Sequence, residues 1–268
     1  MQFSANARLN RTLFFVATAA VLAVSLTGAL TPEFARIGSV AALVILLLGA
    51  LRLASIQSSR AALLGRFVSP GIAGALDRDG LPADADRDLS VVYADVRNFT
   101  RFTEGTESAT VMRLLREYYD AVGAAVAAHG GMVKDYAGDG VLILVGASEP
   151  LADHADRAIA LADAVRQAAS DVTARWTTEA SPLGVGVGVA SGITTLGMVG
   201  GTSERMEFAA VGPAVNLAAR LCSQAAANEV LIDERTLALS RQNGTASRPL
   251  NLKGISKPVM GFALPQSA

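Results

Sequence analysis

The stretch Val91-Val92-Tyr93-Ala94-Asp95-Val96-Arg97-Asn98-Phe99-Thr100 constrains the fold of this chain more than any other. It opens as an apolar, β-branched run, which predicts a strand, stops on a carboxylate, and passes through short polar residues into a helical pattern. Such a strand fixes Asp95 at its exposed end, and the free N–H groups of the following turn face any anion held there. By itself a strand-end Asp signifies no more than a solvated edge or a helix cap. A second carboxylate downstream changes that reading.

The second carboxylate is Asp139, in Lys134-Asp135-Tyr136-Ala137-Gly138-Asp139-Gly140-Val141-Leu142-Ile143-Leu144-Val145. Gly138-Asp139-Gly140 between two strand-like runs predicts a tight hairpin, with the glycines taking positive φ angles. Pairing of these strands with the Asp95 strand would bring Asp95 and Asp139 together at one edge of an antiparallel sheet. Two carboxylates so placed suit a pair of divalent cations, Mg²⁺ or Mn²⁺, the arrangement used for in-line phosphoryl chemistry.

The 268 residues are 51% apolar, more than an ordinary soluble domain carries. The excess lies in two uncharged runs, Thr12 to Leu30 and Ile37 to Leu51, joined by the short polar segment Thr31 to Arg36. The first approaches the roughly 20 residues needed to cross a bilayer, and the second reaches that length if Arg36 and Arg52 snorkel. A cleaved leader is the alternative for the first run; a second run so close behind it favours a retained two-helix transmembrane hairpin in contact with membrane lipid. Arg8, Arg11, Arg52, Arg60 and Arg66 flank the pair on one side and Arg36 alone lies in the loop. The positive-inside rule then predicts a multi-pass protein of the cell (inner) membrane, with everything after residue 60 in the cytoplasm. The single Cys222, which can form no internal disulfide, agrees with that compartment. A net charge of −1 without any basic run argues against nucleic acid as a partner.

Three regions follow. Residues 1–57 are the hairpin, and residues 58–88 are a juxtamembrane helix with an acidic loop from Asp77 to Asp88. Residues 89–268 form a domain long enough for its own core. Within it, Glu107 to His129 and Asp153 to Trp176 read as amphipathic helices, with His154 expected at the surface or as a cap. Leu183 to Ser191 reads as a strand whose alternate glycines leave one face bare for close packing. Thr194 to Gly201 reads as a separate strand. Gly212-Pro213 starts a helix on which Asn216 and Arg220, four apart, share a face and suit a sugar and a phosphate. Glu229 to Ile232, Ser247 to Leu252 and Val259 to Leu264 supply short closing strands.

The ordered segments VVYADVRNFT, KDYAGDGVLILVG, GVGVASGITTLGMVGG, VGPAVNLAARL and LKGISKPV resemble the catalytic domain of the class III adenylyl/guanylyl cyclases over Leu89 to Leu264. Walker-type loops, HExxH and nucleophile elbows are absent, and GDGVL is not the GG[DE]EF turn of a diguanylate cyclase. The resemblance implies an α+β fold: a ferredoxin-like, palm-type, mainly antiparallel sheet with helices packed on it. It implies conversion of ATP to 3′,5′-cyclic AMP and pyrophosphate. Asp95 and Asp139 match the family's metal aspartates, and the carbonyl of Val96 matches a further ligand. Amides around Asn98, Phe99 and Thr100 match a phosphate cradle, Arg220 the arginine that stabilises charge on phosphorus, and Asn216 the residue that orients the ribose. Since the family draws the aspartates from one subunit and the Asn/Arg pair from the other, the active form implied is a homodimer with shared sites.

Base selection departs from the pattern. Adenylyl members carry Lys four residues before the second aspartate and Asp or Thr seven before the ribose Asn; here these positions hold Asp135 and Ala209. Lys134 stands one residue early, which in a regular strand turns it to the other face, although a local bulge would bring it round. Asp135 suits guanine, whose N1–H and 2-amino group are donors. Cyclic GMP synthesis from GTP is therefore the alternative, and a degenerate nucleotide-binding or dimerisation module is the third reading.

Overall fold

The computed structural model describes residues 44, 45, 47–56, 58, 84–200, 206–242 and 246–265. Contacts divide the chain into two units, Met1–Phe67 and Val68–Ala268. In the first, residues 44, 45 and 47–56 are helical and leave Val44, Ile45, Leu47, Leu48, Leu51, Leu53 and Ile56 exposed. The first expected membrane run, the start of the second and almost all of the juxtamembrane segment lie outside the described residues. Among the described residues no helix is long and apolar enough to cross a membrane.

The second unit opens with β1 (Ala85–Arg97), α1 (Phe99–Glu104), α2 (Ser108–Ala128), β2 (Met132–Ala137), β3 (Gly140–Val145) and α3 (His154–Trp176). It continues with β4 (Gly184–Gly200), β5 (Met206–Val211), α4 (Pro213–Gln224), β6 (Glu229–Asp233), α5 (Glu234–Leu239), β7 (Ala246–Leu250) and β8 (Val259–Ala263). The sheet runs β2-β3-β1-β4-β6-β8-β7, with β5 paired to the far end of β4. Its first four strands pair antiparallel, with α2 and α3 as crossovers, which is the ferredoxin-like order expected. The parallel pairing of β4 with β6 makes the whole sheet mixed.

Side-chain alternation along β1 builds both layers of the core. Val92, Ala94 and Val96 face α2 and α3, while Leu89 and Val91 face α4. α2 buries Leu114, Tyr118, Val122 and Val126 at helical spacing, and α4 turns Ala214, Ala218, Leu221 and Cys222 to the sheet. Each fully buried branched side chain contributes about 1.5–3 kcal/mol relative to exposure.

The bare face of β4 is the seat of α4. A Cβ added at Gly188 would overlap the carbonyl oxygen of Ala218 and the amide nitrogen of Cys222, and one at Gly192 would meet Ala214. The glycines therefore let a helix backbone lie directly on a strand, closer than any side chain permits.

Four expectations are corrected. β1 begins at Ala85, so the last acidic residues of the expected loop are strand residues: Thr195 Oγ1 donates to Asp86 at 2.7 Å and Arg235 to Asp88 at 2.7 Å. The two strands expected across 183–201 are one, because β1 pairs with β4 without interruption from Gly184 to Leu196. β5 and α5 were not anticipated; α5 is one short turn capped by Asp233, whose carboxylate accepts from the Thr236 amide at 3.0 Å. His154 is buried rather than exposed, its Nδ1 2.8 Å from Ser90 Oγ, which in turn lies 2.7 Å from Ser191 Oγ. Burial pushes its pKa down, against the pull of Asp88, so this hydroxyl chain holds a neutral imidazole.

Gly188→Ala tests the helix-on-strand contact. Overpacking against backbone that cannot rotate away should lower unfolding free energy by at least ~1–3 kcal/mol, read as a fall in urea midpoint. An unchanged midpoint would show that α4 does not bear on Gly188.

Candidate active site

β1 and β3 pair with Asp95 directly opposite Gly140, so Asp139, in the adjoining turn, reaches the end of β1 beside Asp95. As expected, pairing of the hairpin with the Asp95 strand brings the two carboxylates to one edge of the antiparallel sheet, at the ends of the central strands β1 and β3. In the turn only Gly138 has positive φ, at 66°. Gly140 serves for space instead, because a Cβ there would run into the Tyr93 hydroxyl. Helix α2 holds the turn from one side: the Tyr119 hydroxyl donates to the Gly138 carbonyl, and its ring lies 4.2 Å, centroid to centroid, from that of Tyr136.

Burial, followed by the hydrogen-bonded neighbour Asp95, pushes the Asp139 carboxyl up to about 7, with Arg97 pulling the other way. Two carboxylates that resist ionising together form a site whose repulsion a cation relieves. Among the described residues no group of three or more His, Cys, Asp or Glu could hold a metal. The donor set nonetheless fits hard divalent ions, which characteristically bind one or two carboxylates and complete their shell with water and substrate phosphate. The Val96 side chain is sunk in the core, which leaves its backbone as the only group it offers.

The turn after β1 is made by Asn98, left-handed at φ 62°, a conformation Asn tolerates better than most residues. Its amide group donates to the Pro182 carbonyl at 2.7 Å instead of capping the helix. Phe99 packs its ring against the core and Thr100 lies exposed at the start of α1. α1 spans only Phe99–Glu104 and carries no acidic residue in its first turn. An anion here would be held by free amides close at hand, with little macrodipole behind them.

Asn216 and Arg220 are exposed on the side of α4 that faces away from the sheet. Among the described residues neither side chain forms an ion pair or hydrogen bond, so within one chain neither is bonded to Asp95 or Asp139. The candidate residues thus fall into two half-sites: an acidic one at the ends of β1 and β3, and a polar and cationic one on α4.

Strand β2 carries a bulge between Val133 and Asp135, with Lys134 as the extra residue. Of the two arrangements open from the sequence, a regular strand that turns Lys134 to the opposite face and a local bulge, β2 has the bulge. Its largely covered ammonium lies 2.7 Å from Glu207 Oε1 and 3.7 Å from Asp135 Oδ2. Glu207 and Ala209, two apart on β5, share a strand face. Lys134 and a carboxylate therefore stand next to the small residue at the expected base-selecting position. Glu207 was missed in the sequence because β5 was not recognised; a two-residue offset from Ala209 was the signal for it.

The chain matches the family described as the adenylate and guanylate cyclase catalytic domain over residues 81–265. An uncharacterized protein of Mycobacterium tuberculosis, Rv1319c, is 34% identical over 164 residues, covering 61% of this chain and 29% of that protein. A second from the same organism, Rv1320c, is 30% identical over 204 residues, covering 74% of this chain and 35% of its own length. The chain therefore spans about a third of the length of the curated relatives it matches. Among solved structures, the guanylyl cyclase Cya2 is 28% identical with a TM-score of 0.63, covering 68% of this chain and 93% of its own. The adenylyl cyclase CyaB from P. aeruginosa is 28% identical with a TM-score of 0.64, covering 70% of this chain and 98% of its own. Equal identity to an adenylyl and a guanylyl enzyme leaves the base undecided by likeness. With the ferredoxin-like sheet, the paired aspartates and this match together, the chain belongs to the adenylate and guanylate cyclase catalytic-domain family.

Proposed function

We propose that the chain is a homodimeric nucleotidyl cyclase that converts ATP to 3′,5′-cyclic AMP and pyrophosphate. The observation that carries this reading is where its candidate residues lie: the carboxylates at the ends of β1 and β3, and Asn216 and Arg220 exposed on α4 without a bond to them, an arrangement that suits a two-fold dimer with shared sites. Asp95 and Asp139, with the Val96 carbonyl, would hold two divalent cations, Mg²⁺ or Mn²⁺. Bound there, such ions supply Lewis acidity toward the triphosphate and lower the pKa of a coordinated hydroxyl. The 3′-oxygen forms the new bond to the α-phosphorus, pyrophosphate leaves from the opposite side, and the hydroxyl proton is released. Asn216 of one chain orients the ribose, the Arg220 guanidinium offers donors to charge building on phosphorus, and amides at Asn98, Phe99 and Thr100 of the other chain hold phosphate.

ATP is favoured by the Lys134–Glu207 pair. An ammonium donates to adenine N1 and a carboxylate accepts from its 6-amino group, while Ala209 leaves room between. GTP is the second reading, favoured by Asp135 at the position where an acidic side chain reads guanine N1–H and the 2-amino group. We also propose that the two uncharged runs tether the catalytic domain to the cytoplasmic face of the cell membrane. The exposed leucines at 47–53 support this. If so, the full chain stays in the membrane pellet after alkaline carbonate washing; release into the supernatant would sink the tether.

The deciding experiment is complementation between inactive partners. Asp95→Ala and Arg220→Ala should each lose at least ~10² in Mn²⁺-dependent cyclic nucleotide production. Mixed in equal amounts, half the dimers gain one intact site of two, so roughly a quarter of wild-type activity returns. No recovery on mixing would overturn the shared-site dimer, and an inactive wild type with both ATP and GTP would leave only the binding-module reading. Lys134→Ala should lower kcat/KM for ATP by about 10- to 100-fold through loss of a charged hydrogen bond. Cyclic GMP as the wild-type product would assign base reading to Asp135 instead.

Asp139 also sets a pH dependence. Its folded pKa lies above the unfolded carboxylate value, so the folded state keeps a proton that the unfolded chain releases between about pH 4 and 7. Stability without metal should therefore fall as pH rises across that window. Asp139→Asn should melt at a higher temperature than wild type at pH 8 in EDTA; an equal or lower melting temperature would contradict the strained pair.

A further inference from the structure

Arg97 follows the metal-binding segment directly, yet no role above uses it. It lies at the end of β1, on the same face as Asp95 and opposite α2 and α3, so its side chain runs under α4. Its guanidinium makes contacts in two directions. One nitrogen, Nη1, lies 3.5 Å from Asp95 Oδ2. On the other side Nε donates to the Ala225 carbonyl at 3.1 Å and Nη2 to the carbonyl of Cys222, with Cys222 Sγ also 3.5 Å from Nη2. Those carbonyls close the C-terminal end of α4, where the negative end of the helix favours a cation; that of Cys222 also accepts from the Ala225 amide at 3.0 Å. The space is made by Gly186, directly across from Asp95 on β4, where a Cβ would overlap the guanidinium itself.

We propose that Arg97 is a positioning residue that ties the carboxylate of Asp95 to the end of the helix carrying Asn216 and Arg220. A single planar fork thereby fixes the acidic half-site and the cationic half-site of one chain relative to each other. In the shared-site homodimer these two halves serve different active sites, so the fork also links one site to the other through the body of each chain. This rests on the cyclase reading above. Arg is suited to the task and Lys is not, because one ammonium cannot span a carboxylate and two carbonyls in a fixed plane. The same positive charge stands against the cation that Asp95 would hold, so removing it should affect metal affinity and turnover in opposite senses.

The full chain is tested as wild type, Arg97→Met and Arg97→Lys. Three quantities are read: Mn²⁺ affinity without nucleotide, from the electron paramagnetic resonance of free Mn²⁺; kcat and KM for ATP at saturating Mn²⁺; and melting temperature. Arg97→Met should bind Mn²⁺ about 3- to 10-fold more tightly, as loss of a nearby like charge dictates, while kcat falls by at least ~10-fold, the order of effect that small misplacement of positioned groups produces. Arg97→Lys should keep the wild-type Mn²⁺ affinity and still lose kcat. The proposal is overturned if Arg97→Met binds Mn²⁺ no more tightly than wild type, if both variants keep kcat within twofold, or if wild type binds no Mn²⁺ at all. A uniform loss of Mn²⁺ binding, kcat and melting temperature would also reject it, as that is the signature of a merely structural arginine. Should wild type bind Mn²⁺ yet make no cyclic nucleotide, the cyclase reading fails, and the Mn²⁺ shift alone decides whether Arg97 bears on Asp95.

Discussion

The contact on which the rest of the domain depends is the one between the glycines of β4 and the backbone of α4. With no side chain at Gly188, the carbonyl of Ala218 and the amide of Cys222 rest on the strand itself, while Gly192 leaves room for the methyl side chain of Ala214. The helix is thus located by hard-sphere exclusion against main chain, not by side chains that can change rotamer. Because Asn216 and Arg220 ride on its outer side, their positions are inherited from that contact. The opposite face of the sheet is more conventional: Val185, Val187 and Val189 alternate with the glycines and meet α2 and α3 in the larger core cluster.

Electrostatics runs against stability where packing supports it. Asp139 is partly buried beside Asp95, in a turn that Tyr119 clamps through the Gly138 carbonyl. Holding two carboxylates together costs folding free energy and creates affinity for a cation, the trade expected of a site built for function. Arg97 sits beside this pair and spends most of its hydrogen-bonding capacity on the end of α4. The buried chain from His154 through Ser90 and Ser191 to Thr236 is the contrasting case, in which neighbouring hydroxyls satisfy a neutral imidazole inside the core.

In the proposed base-reading site, a single extra residue sets which side chains stand together. In a regular strand Lys134 and Asp135 would project to opposite faces, and the two base readings would exclude each other by geometry. The bulge cancels that alternation and brings the ammonium within reach of carboxylates on both β2 and β5. The site presents a donor between two acceptors, where the family's usual pattern pairs one lysine with one short polar residue.

Local pattern was sufficient for much of this. The β-branched run ending at Asp95, the apolar spacing of α2 and α3, the Gly-Pro start of α4 and the Gly138-containing hairpin are all fixed by interactions within a few residues, which is what a sequence displays. The bare face of β4 was legible too, although not what would cover it. The sequence could not display features decided by partners distant along the chain. β4 runs unbroken because β1 holds all of it; β5 exists because the end of β4 offers an edge; His154 is buried because Ser90, some sixty residues earlier, waits to accept or donate. Lys134 reaches Glu207 only because β2 bulges beside β5, and Arg97 spans from Asp95 to α4 only because Gly186 leaves the space. The chemical groups of this protein, and those elements whose pattern is local, could be read from the residues alone. Tertiary structure alone decided which groups face each other, because those distances depend on register and close approach between strands and helices that are remote in sequence.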